Sequence, residues 1–282
     1  MKKTKKILIE QILPILLTVF TFLILATLLY GLLLILDSLH TGGGPIILDF
    51  RRREVLLGII IYLKTAIDFA IFIGNLMHTN PGWKKRIAIE LGTAVGNGLG
   101  TFLILIIWTL LKTVPLLMVV MIFLAAVVLL RMAQESFEEF LKQKQSFIKL
   151  KMPVSLLQDQ LNFVNKIFRP ILHFFVPNLN LTKTKKLSFV NLVVFSFTIP
   201  FVLGLDDFAG YIPIFTFINV FGFTLGILLG HMLLTIGLFA FPKLTVKVVK
   251  HPFVLIIGGL AFIGLGIYGF YESAIILLGL FH

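Results

Sequence analysis

The chain has 282 residues, of which 58% are apolar and 13% charged, with 29 phenylalanines and no cysteine. This composition lies outside that of water-soluble globular domains, and the lack of cysteine excludes disulfides, thiolate metal ligands and thiol-disulfide chemistry. The formal net charge is +12, but the basic residues are spread over the connections between apolar runs, which argues against a nucleic-acid-binding domain.

Apolar runs of this chain are long enough to cross a bilayer as helices. A span needs roughly 20 residues to cross about 30 Å of hydrocarbon. The alternating segments of roughly ten residues that form an outer-membrane barrel are absent, so we predict an all-α polytopic membrane protein with seven transmembrane helices. The predicted spans are 7–36, 55–77, 87–111, 114–132, 187–208, 214–241 and 252–280.

The first run is too long for a signal peptide and has no small-residue cleavage site before Asp37, so we expect a retained span. Positive residues concentrate in loops that alternate spans place on one side, which the positive-inside rule makes cytoplasmic. The cluster 51–53 falls on the other side. The prediction is a multi-pass protein of the cytoplasmic membrane, with the N-terminus cytoplasmic and the C-terminus external. The basic residues of the loops placed on the cytoplasmic side are Lys2, Lys3, Lys5, Lys6, Lys84, Lys85, Arg86, Lys142, Lys144, Lys149, Lys151, Lys183, Lys185, Lys186, Lys243, Lys247 and Lys250.

The spans after the first contain an internal repeat. The second span has IDFAIFIG at 67–74 and the fifth has DDFAGYIP at 206–213. The span after each carries a G-x-x-x-G-x-x-x-G ladder, at 92–100 and 222–230. A weaker match aligns the segments that begin at Ile122 and Ala261.

The repeat unit is therefore three helices, and an odd number places the second unit in inverted orientation, as in many secondary transporters. We divide the chain into an N-terminal helix with its loop (1–54), a first repeat (55–132), a linker (133–186) and a second repeat (187–282). Apolar residues recur at helical spacing in the linker, with Lys and Gln between them. This pattern favours amphipathic helices on the cytoplasmic surface over a solvated connector, and a partner-binding segment would look the same.

Charged residues within spans are costly and mark candidate functional sites. Asp68 lies in the second span, and Lys64 lies one helical turn before it, where the two side chains can pair. The aligned residues of the second unit are Asp207, preceded by Asp206, and Leu203, so the carboxylate is repeated and the lysine is not. Two readings of the Asp pair remain open, an intramembrane site and a pair at the external end of the helix.

A hard cation is the ligand that suits these groups. Pro200 and Gly204 are expected to interrupt the fifth span and expose carbonyl oxygens. With the three carboxylates and the amide of Asn75 they would form a site for a metal such as Ca, Mn or Mg, since no cysteine or histidine cluster is near. The predicted metal ligands are Asp68, Asp206 and Asp207.

The glycine ladders predict close helix packing, as small-x-x-x-small patterns do in lipid. A second interpretation is a smooth surface along which the Asp-bearing helices slide. Asn97 and His231 lie beside the ladders and are interpreted as interhelical hydrogen-bonding groups or as proton relays. Glu90 is expected in the first turn of its span, with a structural role. The ladder glycines are Gly92, Gly96, Gly100, Gly222, Gly226 and Gly230.

Two three-helix units, an Asp motif in the first helix of each and a glycine ladder in the second together resemble the LysE superfamily, with its TerC-like and CadD-like cation exporters. The segment LDDFAGY at 205–211 resembles the double-Asp signature of the CadD-like branch. The resemblance implies an ion site of Asp68, Asp206 and Asp207 between the two units, and alternating access. The E-x-G-D-[KR]-[ST] signature of manganese and calcium exchangers and the A-D-N form of TerC-like proteins are absent.

The sequence thus predicts a secondary transporter for a cation, without a cofactor and without an enzymatic constellation. Two alternatives remain: an exporter of a small organic solute such as a basic amino acid, and a non-transporting membrane scaffold. The expected partners are the transported cation and the lipid bilayer. Nucleic acid is not expected, and a homo-oligomer is left open.

Overall fold

The computed structural model describes residues 2–39, 46–111, 114–143, 148–175, 187–209, 215 and 218–280, and leaves the side chains of 2–10, 68, 148–149, 169–175, 199 and 202–209 outside the description. The regular structure of these ranges is helical. In chain order the helices are α1 (Lys2–Ser38), α2 (Arg52–Thr65), α3 (Ile67–Thr79), α4 (Trp83–Leu111), α5 (Pro115–Lys142), α6 (Ile148–Phe175), α7 (Phe189–Ala209), α8 (Val220–Ala240), α9 (Pro242–Val249) and α10 (Pro252–Gly279).

Five of the described helices are long and apolar enough to cross a membrane, namely α1 from Gln11, α4, α5, α8 and α10. The pair α2 and α3 qualifies as a sixth if it forms one broken span, and the apolar described part of α7 is the shorter segment Phe189–Thr198. These helices indicate a multi-pass helical membrane protein.

The second predicted span is broken rather than continuous. α2 and α3 meet at Ala66 and differ in direction by 61°. Ala66 has φ −79° and ψ 17°, close to the bridge region rather than the helical one, and this rotates the following helix away from the axis of α2. The prediction of one straight helix over 55–77 is therefore wrong at this residue.

The opposite holds for the fifth predicted span. Pro200 and Gly204 were expected to interrupt it, yet both lie within α7, which is helical from Phe189 to Ala209. Proline removes one backbone donor, and a helix in apolar surroundings tolerates that loss where neighbouring helices or local adjustments satisfy the freed groups. Among the described residues, the interruption thus lies at Ala66 in the second predicted span, and not at Pro200 or Gly204 in the fifth.

Three close helix pairs form the body of the molecule: α4 with α7, α2 with α8, and α5 with α10. A Cβ added to Gly92 or Gly96 of α4 would overlap the backbone of α7 at Val193 and Phe197 respectively. The later glycine of α4 meets the later residue of α7, so the two helices are parallel. Close approach of two backbones is what the small residue permits.

The pair α2 and α8 packs in the same way. A Cβ on Gly226 would overlap the carbonyl of Val55, and one on Gly58 would overlap that of Phe223. Further along, a Cβ on Gly230 would lie 3.0 Å from the Cβ of Tyr62. Val55 meets Gly226, and Tyr62, later in α2, meets Gly230, later in α8, so α2 and α8 are parallel.

The third pair, α5 with α10, is antiparallel. Gly259 meets Phe137, and Gly266, later in α10, meets Leu130, earlier in α5. α5 continues to Lys142 rather than ending at 132. Lys250, which follows the short helix α9, lies 3.3 Å from Glu139 near the end of α5.

The first helix packs outside these three pairs and contacts both glycine-ladder helices, α4 and α8. Leu25 lies against Gly98 of α4, and the ring of Tyr30 meets that of Phe221 of α8 edge to face, with centroids 5.8 Å apart. α1 is therefore a bridge between one helix of each predicted unit.

α6 lies within the predicted linker 133–186 and packs on α5. It lies antiparallel to α5, since Gln134 of α5 hydrogen-bonds Asn162 and Asn165, while Phe168 contacts the earlier residue Phe123, with ring centroids 5.7 Å apart. The same phenylalanine lies 6.5 Å from Phe270 of α10. The distal part of α6 thus packs against the apolar stretch of α5.

Candidate functional site

The three predicted aspartates fall on helices whose bounds are described, while their side chains lie outside the described residues. Asp68 is the second residue of α3 and follows the bend at Ala66 directly. Asp206 and Asp207 lie in the last turn of α7.

The backbone at the bend keeps part of its helical hydrogen bonding. The Ala66 N–H donates to the carbonyl of Tyr62 at 2.9 Å, and the Ala70 N–H donates to the carbonyl of Ala66 at 2.8 Å. The turn is thus a defined joint between two helices and not an unwound loop. It sets the direction of α3 at the point where the chain carries its first predicted aspartate.

Lys64 lies in the last turn of α2, with 7% of its surface exposed. Its aliphatic stem packs on Gly258 of α10, where an added Cβ would overlap the lysine Cγ and Cδ. A lysine can bury its stem in this way and extend its charged end past the contact. The structure therefore brings α10 next to the last turn of α2, close to the joint.

A histidine of α8 contacts residues on both sides of the joint at Ala66. His231 of α8 is 3% exposed, and its Nδ1 is 2.7 Å from the hydroxyl of Tyr62. The ring of Phe69, on the other side of the joint, has its centroid 5.6 Å from that of His231. His231 thus contacts both arms of the broken span.

The second ring nitrogen of His231 is a free hydrogen-bonding position. Nε2 is buried and has no hydrogen-bond partner among the described residues. A buried polar atom without a partner is costly, and in native proteins it calls for a specific explanation such as a ligand or a water. The Tyr62–His231 pair is therefore a buried polar centre between α2 and α8.

Sequence reasoning singled out His231 but missed Tyr62. Tyr62 is one of five tyrosines and lies two residues before Lys64. Its contact with Gly230 of the ladder could have been inferred only with the pairing of α2 and α8 in hand. The partnership of two residues so distant in sequence carries no local pattern.

Further buried polar side chains follow the ladder helices. They recur at three- or four-residue multiples, so each set shares a helix face. On α4 the set is Thr93, Asn97 and Thr101, and on α8 it is Thr224, His231 and Thr235. The Nδ2 of Asn97 is buried and has no partner among the described residues.

The remaining predicted ligand lies elsewhere. Asn75 is exposed on α3, two turns beyond Asp68, so its amide does not join the buried polar centre. Across the described side chains, no group of three or more His, Cys, Asp or Glu could hold a metal ion. The side chains of the three predicted aspartates lie outside the described residues.

Glu90 occupies a different place from the one predicted. α4 begins at Trp83, so Glu90 lies two turns inside the helix and not in its first turn. It is 0% exposed and accepts a hydrogen bond from the Thr21 hydroxyl of α1 at 2.8 Å. The earlier start follows the turn at Gly82, whose φ of 105° favours glycine.

None of the protein-family models, curated proteins or solved structures compared with the chain matches it. Its function therefore has to be argued from its own residues.

Proposed function

We propose that the protein is a secondary transporter that moves a small cation, with a divalent metal as the leading candidate, across the cytoplasmic membrane by alternating access. The proposal takes the seven spans predicted from the sequence, with the N-terminus cytoplasmic and the C-terminus external. Two inverted units of three spans each enclose the transport path. The first unit comprises α2 with α3, α4 and α5, and the second comprises α7, α8 and α10.

The observation that carries the proposal is the exchange of helices between the units. The first helix of each unit packs on the glycine-ladder helix of the other, as α2 does on α8 and α7 does on α4. A two-fold axis that swaps the units maps one of these pairs onto the other, and maps the pair of α5 and α10 onto itself. Parallel packing in the first two pairs and antiparallel packing in the third are what an axis in the membrane plane requires.

The broken span supplies a second argument. Discontinuous helices at the interface of inverted repeats are typical of substrate and ion sites near the bilayer midplane, because their free backbone groups can face a ligand. Here the joint at Ala66 lies two residues before Asp68 and one turn after Tyr62. In the proposal Asp68 and Asp207 are the paired ligands, and Asp206 assists.

The choice of a cation rests on charge and on resemblance. Three carboxylates and one ammonium make the proposed site net acidic, which attracts cations. Carboxylate and carbonyl oxygens suit hard ions such as Ca, Mn and Mg. The Asp motifs and ladders resemble those of the LysE superfamily, and membership in that superfamily is part of the proposal.

Buried Lys64 favours one alternative, a basic amino acid or another solute with both charges. An ammonium beside the carboxylates would pair with the carboxylate of such a solute, while Asp68 and Asp207 would pair with its amines. For a metal ion, Lys64 is instead a like charge that weakens binding. The two substrates thus predict opposite effects of removing the lysine charge.

The test is thermal unfolding of the purified protein against Mn, Ca, Mg, Cd, Zn and lysine. A ligand at about 100 times its Kd stabilises the folded state by about 2.7 kcal/mol. We expect one metal to raise the unfolding temperature of the wild type, with no rise in Asp68→Asn or Asp207→Asn. Asp159→Asn, on the exposed surface of α6, is the matched control and should respond as the wild type does.

Lys64→Met separates the two substrates, since methionine preserves an unbranched stem against Gly258. For a metal we expect the unfolding shift to persist at about fivefold lower concentration, the effect of removing roughly 1 kcal/mol of repulsion. For an amino acid the shift should be lost. A shift absent for every ligand, or equal in both Asp variants and the control, contradicts the proposed site and favours the scaffold.

A further inference from the structure

Glu90 is a fully buried carboxyl group outside the proposed ion site. It lies on α4 and faces α1, the helix that precedes the first repeat and also contacts α8. The nearby contact of Leu25 with Gly98 shows how closely α1 approaches α4 on this side. The carboxyl group is therefore enclosed by a helix that belongs to neither unit.

The two oxygens of Glu90 have unequal surroundings. Oε1 accepts the hydrogen bond from Thr21, whereas Oε2 is buried with no hydrogen-bond partner among the described residues. Thr18, one turn earlier on the same face of α1, is 1% exposed, and its hydroxyl donates to the carbonyl of Pro14 at 2.9 Å. Because that hydroxyl hydrogen is in use, the Thr18 oxygen is available to accept one from a protonated carboxyl group.

No described cation lies within ion-pair distance of Glu90. On its own helix, Arg86 donates to the carbonyl of Phe239 at the end of α8. α1 has no charged residue between Gln11 and Leu36, and its one titratable group there, Tyr30, contacts Phe221.

The other helices packed on α4 are α7, α8, α3 and α5. The described side chains of α7 include no titratable group, and the one titratable group of α8, His231, contacts Tyr62. On α3, His78 is exposed, and the Asp68 side chain lies outside the description. The charged groups of α5 begin at Arg131, which pairs with Glu135, followed by Glu138, Glu139 and Lys142 toward the end of that helix.

These surroundings place the two states of the carboxyl group in competition. Burial without a counter-charge disfavours the ionised form. The hydrogen bond that Thr21 donates favours it, because a hydroxyl bonds a carboxylate more strongly than a neutral acid. A group balanced in this way changes state when a proton arrives, and the unpartnered Oε2 is the atom at which it would bind.

We propose that Glu90 reversibly binds a proton on Oε2 and thereby sets the contact between α1 and α4. A hydronium ion gives up its proton, one O–H bond forms on Oε2, and water is released. The new O–H donates to Thr18, so the protonated form closes a second bond between α1 and α4. If the protein is the transporter proposed above, Glu90 is its proton-coupling site; that role alone rests on the proposed function.

The first test is infrared spectroscopy of the full chain in lipid vesicles between about pH 5 and about pH 9, the range in which buried glutamates titrate. We expect the carbonyl stretch of a protonated carboxyl group to disappear as the pH rises. Glu90→Gln should lack this band, whereas Glu135→Gln, on the exposed side of α5, should keep it. A band absent or constant over the whole range, or one that persists in Glu90→Gln, overturns the proposal.

The second test measures the helix contact itself in a chain that has no natural cysteine. Leu25→Cys with Gly98→Cys reports on α1 and α4, and Leu130→Cys with Gly266→Cys, between α5 and α10, corrects for the pH dependence of the thiols. We expect the corrected cross-linking rate to be about threefold or more higher at low pH, the effect of one hydrogen bond. In Glu90→Gln this pH dependence should vanish. Equal pH profiles of both cysteine pairs would refute the role in the contact.

Neither measurement uses a transported substrate, so the outcome is separate from that of the ion-site test. A titrating Glu90 in a protein that binds none of the tested ligands leaves the proton site standing and removes its coupling role. A metal shift that depends on Asp68 and Asp207, together with an inert Glu90, leaves the transporter and removes the proton site.

Discussion

The two exchanged helix pairs, α4 with α7 and α2 with α8, share one mode of packing but differ in chemistry. In both, a ladder glycine lets the backbone of a parallel neighbouring helix approach closely. At the first pair the buried polar group is Ser196, whose hydroxyl lies 2.6 Å from the carbonyl of Leu192 in its own helix. At the second pair the polar group is Tyr62–His231, which joins two helices.

Close packing through glycine and the polar contacts between helices are therefore independent features of this fold. The helix with the short interhelical hydrogen bond, α2, is also the one that ends in a 61° bend, whereas α7 is continuous. The packing register differs as well. When Asp68 is aligned with Asp207, Val55 aligns with Val194. The residue that Gly96 contacts is Phe197, one turn further along α7. The second predicted unit therefore resembles the first in its packing, while α7 continues through the position at which α2 and α3 bend.

The largest expected effect concerns the packing that both pairs share. Gly226→Ala places a methyl group on the carbonyl of Val55, and Gly92→Ala places one on α7. Because backbone atoms cannot move aside alone, we expect each change to lower the free energy of unfolding by about 1–3 kcal/mol. The measurement is chemical or thermal unfolding in detergent.

Gly31→Ala is the control for this prediction, since nothing lies within 4 Å of a Cβ added there. It should leave stability unchanged or raise it slightly, as alanine favours the helix. If Gly226→Ala and Gly31→Ala behaved alike, α2 and α8 would be less closely packed than described, and the comparison of the two pairs would lose its basis.

The shared packing is the part of the fold that the sequence could indicate. Apolar runs and glycine spacing are local signals, and they predicted the five long apolar helices and pointed to the faces where backbones approach. The bend at Ala66 has no such signal, because the segment around it contains neither proline nor glycine. The bend lies where α2 contacts α8 and α10, and only the folded chain brings these helices together.

The placement of single polar residues was less predictable for the same reason. Glu90 was expected near water because the span was predicted to begin at 87, although Pro81 and Gly82 signal an earlier turn. Tyr62 could not be paired with His231 before α2 was known to lie on α8. The aspartate site stays a prediction, since its side chains lie outside the described residues.

A smaller effect is expected from the polar contact that distinguishes the second pair. Tyr62→Phe keeps the ring but removes the hydroxyl, which leaves a buried nitrogen of His231 without its partner. Interhelical hydrogen bonds in membrane proteins average about 0.6 kcal/mol and reach about 1.7 kcal/mol, so we expect a loss of about 1 kcal/mol.

A double-mutant cycle with His231→Leu measures the coupling between the two side chains. A coupling free energy near zero would mean that the short contact contributes nothing to stability. The polar difference between the two pairs would then be one of geometry only, and the proposed site would lose its positioning contact.

The smallest effect is expected at the corresponding polar group of the first pair. The Ser196 hydroxyl bonds mainly within its own helix, and its contact with the carbonyl of Ala88 in α4 is long, at 3.3 Å. Ser196→Ala removes a back-bond that contributes little to a helix, so we expect a change within about 0.5 kcal/mol of the wild type, measured by the same unfolding assay. A loss as large as that of Tyr62→Phe would show that the serine also joins two helices. The first pair would then have its own polar link, and the bend at Ala66 would be the feature that separates the two units.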